Sequence, residues 1–91
     1  MSNRCFILMH KHYEVFNGDR WIFDESEQPE ERYIDLEELH KITSPETLKF
    51  FRCLGGTEEL YKKDGLIVKL TSTRPDGMKR SIYRFQYIDT K

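Results

Sequence analysis

His10 and His12 stand one residue apart. Alternate residues of an extended strand share a face, so this pair is the chain's nearest approach to a metal-binding pattern. Cys5, His40 and Cys53 are the further ligands a tetrahedral zinc site would draw on. The spacing argues for two ordinary strand histidines instead: the chain has no Cys-x-x-Cys and no His-Glu-x-x-His, and structural zinc needs four convergent donors. Nucleophilic catalysis would need Cys53 beside His40, with donors for an oxyanion. Cys53 falls within an expected buried helix, where a thiol behaves as a small hydrophobe. Leu54-Gly55-Gly56-Thr57 is no phosphate loop, because it follows a helix and lacks the Lys-Ser/Thr pair. These readings lead to a non-enzymatic chain with no metal and no cofactor.

Charge is the stronger signal. Residues 19–46 hold ten acids against three bases, and residues 47–91 hold ten bases against five acids, although the whole chain carries only −1. Such a split either makes a dipolar surface or lets the halves neutralise each other in the fold, and the second is the expectation. The acids Asp24, Glu25, Glu27, Glu30, Glu31, Asp35, Glu37 and Glu38 form one candidate contact, spaced negative charge that resembles a nucleic-acid backbone. The bases Lys62, Lys63, Lys69, Arg74, Lys79, Arg80 and Arg84 form the other, interleaved with Tyr61, Tyr83 and Tyr87. A basic, aromatic sheet contacts phosphates and stacks unpaired bases. Against that, the alternation of Tyr83, Phe85 and Tyr87 suggests a core-facing row, with Arg84 on the solvated side. The pI near 6.3 and the lack of an RNP-type motif also count against it.

Ninety-one residues suffice for a single domain, 1–91, with one core and no deep active site. Aromatic residues make up 13%, enough buried area to argue against disorder. Two cysteines are too few for a disulfide scaffold. The apolar run Cys5–Met9 is shorter than a signal-peptide core, and nothing approaches a membrane span. The expectation is a cytoplasmic protein with reduced thiols, monomeric or a small homo-oligomer.

The elements that must position these residues are marked by punctuation. Arg4–Asp24 reads as two strands around Asn17-Gly18, a pair that tolerates the left-handed region of a tight turn. Glu25–Glu31 is acidic, contains Pro29 and reads as a loop, and Tyr33-Ile34 finishes a short extended piece. Asp35-Leu36-Glu37-Glu38 has capping-box spacing, which predicts a short helix through about Ile42, buried through Leu36 and Leu39. Ser44 as N-cap, Pro45 at the first helical position and Gly55 just past the end predict a helix over Pro45–Leu54. Its buried stripe is Leu48, Phe51 and Leu54.

Three strands follow at Glu58–Lys62, Leu66–Ser72 and Lys79–Ile88. Lys63-Asp64-Gly65 separates the first two, and Arg74-Pro75-Asp76-Gly77, a type I turn with a glycine bulge, joins the last two. Leu66, Val68 and Leu70 should share a face. The order β-β-α-α-β-β-β implies an α+β fold, a mostly antiparallel sheet with two short helices on one face. The expected core is Phe6, Leu8, Trp21, Phe23, Leu48, Phe51, Leu54, Leu66, Val68, Leu70, Tyr83 and Phe85.

Leu54-Gly55-Gly56-Thr57-Glu58 after an aromatic helix, then Ser72-Thr73-Arg74-Pro75-Asp76-Gly77 with Lys79, and finally Arg84-Phe85 resemble small proteins encoded by phages and mobile elements. The resemblance covers about residues 48–88 and carries over no catalytic or binding residue. It implies phage origin and, by analogy, an anti-CRISPR-like inhibitor of host defence. The functional expectation is a protein-binding module whose acidic segment occludes a host nucleic-acid-processing enzyme or complex. Direct nucleic-acid binding by the basic strands is the alternative.

Overall fold

A computed structural model describes the backbone of residues 5–89, and within it the side chains other than those of Cys5, Phe50, Phe51, Cys53 and Asp89. The chain runs β1 (Cys5–Phe16), β2 (Trp21–Phe23), β3 (Glu30–Ile34), α1 (Leu36–Thr43), α2 (Pro45–Cys53), β4 (Thr57–Lys63), β5 (Leu66–Thr73) and β6 (Lys79–Asp89). This is an α+β fold. Every strand pairing is antiparallel, and the sheet order is β2-β1-β6-β5-β4 with β3 also on β1.

The anticipated order lacked β3. Its first residues, Glu30-Glu31-Arg32, show no apolar alternation, so nothing local marks them as a strand. The ladder with β1 makes them one, from Ile7↔Ile34 to Lys11↔Glu30. Because β6 pairs with β1 from Cys5 to Val15, both β2 and β3 must lie along the opposite edge of β1. They amount to one strand interrupted by an acidic excursion over residues 24–29, which spans only His12 and Tyr13 of the partner strand.

The turns follow the sequence signals. Asn17 Oδ1 accepts from the N–H groups of Asp19 and Arg20, both at 2.9 Å, and closes a four-residue loop. Asp64 and Gly65 both have positive φ, 53° and 79°, as the twist of a two-residue hairpin requires. At the last hairpin the Gly77 N–H donates to Arg74 O and the Arg74 N–H to Lys79 O, each at 2.9 Å.

Both helix starts are also local. Asp35 Oδ1 accepts from the Glu38 N–H at 2.8 Å, and Ser44 Oγ from the Thr47 N–H at 3.2 Å. The Glu38 carboxylate does not reach back to complete the box, because it pairs with Arg32. α2 ends at Cys53, and Gly55 takes φ 91° just beyond it.

The helices lie against one face of the sheet. Leu39 and Leu48 join Ile7, Met9, Ile34, Leu70 and Phe85 in the core, with Ile42, Ile67, Tyr83 and Tyr87 packed around them. Burying each such aliphatic chain contributes about 1.5–3 kcal/mol.

Several expected core residues are elsewhere. Leu54 falls just past the helix end and is 61% exposed, and Leu36 and Leu66 are also exposed. Val68 leaves the Leu70 face because the β4–β5 register slips between Tyr61 and Lys62, so that Lys62 pairs with Ile67 and Val68 has no partner. Ile67 packs on the core in its place. Phe6 and Phe23 are exposed, Leu8 and Trp21 half-buried, all on the face that no helix covers. The side chain of Phe51 lies outside the described residues.

Candidate binding surfaces

The register defines the helix-free face. Along β1, Phe6, Leu8, His10, His12 and Glu14 point away from Ile7 and Met9. Tyr33 lies opposite Leu8 and Phe23 opposite Glu14, and the His12 and Phe23 rings stack 6.1 Å apart. One row crosses five strands: Tyr61, Lys69, Arg84, His10 and Glu31, each opposite the next. Lys69 Nζ sits 5.1 Å above the Tyr61 ring. The row lines a shallow cleft of about 550 Å³ together with Leu8 and Val68.

Near the far end of this face, Arg80 meets Glu14 at 2.5 Å and lies 4.3 Å over the Trp21 ring. Burial opposes ionisation of Glu14, but hydrogen bonds from Arg80 and His12 outweigh it and hold its pKa below the ordinary value.

The eight candidate acids serve several different contacts. Asp24 is buried, and its Oδ1 accepts from the Ser26 hydroxyl at 2.6 Å and the Ser26 N–H at 3.0 Å, which lowers its pKa. Asp35 caps α1. Arg32 is gripped by Glu30, at 2.8 Å, and by Glu38, and these contacts raise its pKa. Glu37 faces Lys41 one turn on, at 3.8 Å. Glu25, Glu27 and Glu31 have no ion pair among the described residues.

The seven candidate bases separate into three places. Lys62 and Lys63 lie at the β4–β5 turn and are exposed. Lys69, Arg80 and Arg84 lie on the helix-free face. Arg74 and Lys79, at the β5–β6 turn, line a cavity of about 250 Å³ with Lys11, Asp24 and Glu27. Asp24 and Glu27 of the acidic half meet Arg74 and Lys79 of the basic half around that cavity, but no ion pair among the described residues joins the two halves that were expected to neutralise each other. Lys11 carried no signal in the sequence. Its Nζ is 5.0 Å from the Tyr13 ring centroid and 4.9 Å from that of Tyr83. Burial disfavours its charge, yet Tyr13 and Tyr83 outweigh burial and raise its pKa.

His10 and His12 do lie on one face, with rings 5.8 Å apart, and His12 Nε2 is 3.4 Å from Glu14. Among the described residues no three histidine, cysteine or carboxylate side chains converge as a metal site requires. The side chains of Cys5 and Cys53 lie outside the described residues, and so does any approach of Cys53 to His40. No described helix is long and apolar enough to cross a membrane.

No family model, no curated protein and no solved structure matches this chain.

Proposed function

We propose that the chain is a non-enzymatic protein-binding module whose contact is the helix-free face of the sheet. One observation carries this: Phe23, Tyr33 and Tyr61 stand 50, 63 and 44% exposed on a face whose fixed charges balance. Lys69, Arg80 and Arg84 are offset there by Glu14, Glu31 and Glu59, the last hydrogen-bonded by the Tyr61 hydroxyl at 2.5 Å. Exposed aromatic rings and arginines are enriched at protein interfaces, whereas a nucleic-acid platform carries a net positive field. The resemblance over residues 48–88 supports a narrower form, a phage-encoded inhibitor that occludes a host nucleic-acid machine. In that form Glu31, beside His10, and Glu25, in the adjoining loop, meet basic residues of the partner.

The row Tyr61-Lys69-Arg84-His10 favours a second reading, a single nucleic-acid strand laid across β4, β5, β6 and β1.

Affinity capture with and without nuclease, comparing the unmodified chain with a Phe23→Ser, Tyr33→Ser variant, separates the two. The proposal expects a nuclease-resistant protein retained in stoichiometric amount and lost with the variant. Retention by the variant would overturn the outer face as the contact, and nuclease sensitivity would transfer the function to the second reading.

A further inference from the structure

On the helix side of the sheet, α1 and α2 cover only one end. Ile7, Met9 and Phe85 lie beneath them, while Lys11, Tyr13 and Ser81 continue the same face past the core cluster. Asp24 N–H donates to Tyr13 O at 2.9 Å, which folds the acidic loop down as one wall. The β5–β6 turn supplies Arg74 and Lys79 as another. The cavity of about 250 Å³ between them is at the small end for a ligand site.

Its electrostatics are unusual for a solvated surface. Glu14 and Arg80 also line the cavity and neutralise each other. Lys11, Arg74 and Lys79 have no ion pair among the described residues, although Asp24 and Glu27 line the same cavity. Asp24 has one oxygen committed to Ser26. Lys11, Arg74 and Lys79, from β1, the turn and β6, thus line one small volume without a direct ion pair, although Arg74 and Lys79 attract the Asp24 carboxylate through space.

We propose that this cavity is a binding site for a small phosphomonoester, such as a sugar phosphate or nucleoside monophosphate. A phosphate dianion offers three terminal oxygens, which suits the Arg74 fork and the two ammonium groups. Ser72 and Ser81, opposite one another on β5 and β6, add hydroxyl donors. Asp24 and Glu27 then accept from the hydroxyl or amino groups on the rest of the molecule. The small volume of the cavity, about 250 Å³, favours one phosphate group over an extended nucleic-acid backbone. The site lies mainly on the face opposite the proposed protein contact, with Glu14 and Arg80 common to both.

Titration calorimetry with adenosine 5′-monophosphate, inorganic phosphate and a short oligothymidylate tests this. Saturable binding of the monophosphate is expected, with weaker binding of inorganic phosphate at the same site. Lys79→Met and Arg74→Met should each weaken it about tenfold, the scale of one charge-assisted contact. Glu27→Gln should tighten it about threefold by removing a like charge. Lys63→Met, at the opposite turn, should leave affinity unchanged. Thermal melts of each variant confirm that the fold is retained. No saturable heat with either phosphate probe, or full affinity in Lys79→Met, would overturn the site. Oligothymidylate binding more tightly than the monophosphate would overturn the small-molecule assignment.

Discussion

Glu58 Oε1 lies 3.6 Å from Arg52 Nε, and no hydrogen bond reaches that oxygen, on a side chain only 2% exposed. Burial pushes the Glu58 pKa up, and Arg52 pulls it back only in part. As pH rises, the unfolded chain gives up this proton before the folded one. The group therefore destabilises the fold fully above its raised folded pKa, and the effect vanishes below the ordinary carboxylate range. Glu58→Gln should gain about 1 kcal/mol in urea unfolding at pH 7, the lower scale of an unsatisfied buried group. The gain over the unmodified chain should shrink as the pH is lowered. A loss at pH 7 would mean that the Arg52 attraction outweighs burial.

Glu14 behaves in the opposite sense. Its pKa is lowered, so its pairing with Arg80 stabilises above the ordinary carboxylate value and is lost as pH falls through the folded pKa. Glu14→Gln should cost about 1–2 kcal/mol at pH 7, the scale of a charge-assisted hydrogen bond in a partly exposed site. A double-mutant cycle with Arg80→Met should show coupling at pH 7 that disappears in acid.

The two leucines of α1 should separate cleanly. Leu39 is 2% exposed in the core, so Leu39→Ala should cost about 2–5 kcal/mol. Leu36 is exposed, and Leu36→Ala should shift the urea midpoint by less than about 0.5 kcal/mol equivalent. Equal costs would contradict the observed helix face.

Gly55 joins the end of α2 to the last hairpin. Its φ is 91°, and a Cβ there would stand 3.3 Å from Pro75 Cβ. Gly55→Ala should destabilise by at least about 1–2 kcal/mol from the left-handed backbone alone, which thermal melting will read.

The acidic segment has its own charge test. Glu30 and Glu38 hold Arg32, so reversing them perturbs β3 and α1 as well as any contact. Glu25→Lys with Glu31→Lys leaves those pairs intact. An occluding inhibitor should lose partner affinity in this variant while its melting transition is retained. A nucleic-acid binder should gain affinity at low salt.

Turns and caps were legible because each depends on a few neighbouring residues: Asn17-Gly18, Asp64-Gly65, Asp35 and Ser44 all act within four positions. β3 was not, since Glu30-Glu31-Arg32 is a strand only because β1 presents a free edge. Burial was misjudged where it depends on what lies opposite. Phe23 has the composition of a core residue but sits where no second layer arrives, and the slip at Val68 exchanges its role with Ile67. The cavity was invisible for a related reason. Lys11, Asp24 and Arg74 meet through the β1–β6 register and the fold-back of the acidic loop, and the charge split announced only that the halves would meet.

β1 draws its two edges from distant parts of the chain. β2 and β3 follow it almost at once, but its long partner β6 is the last of the described strands, with Cys5 opposite Asp89 and Val15 opposite Lys79. During synthesis β1 must wait beside β2 and β3 with its other edge unsatisfied. Pairings this remote in sequence close slowly, and open edges invite wrong partners meanwhile. The centre of the sheet is therefore completed only after translation of β6, and β1 stays half-paired until then.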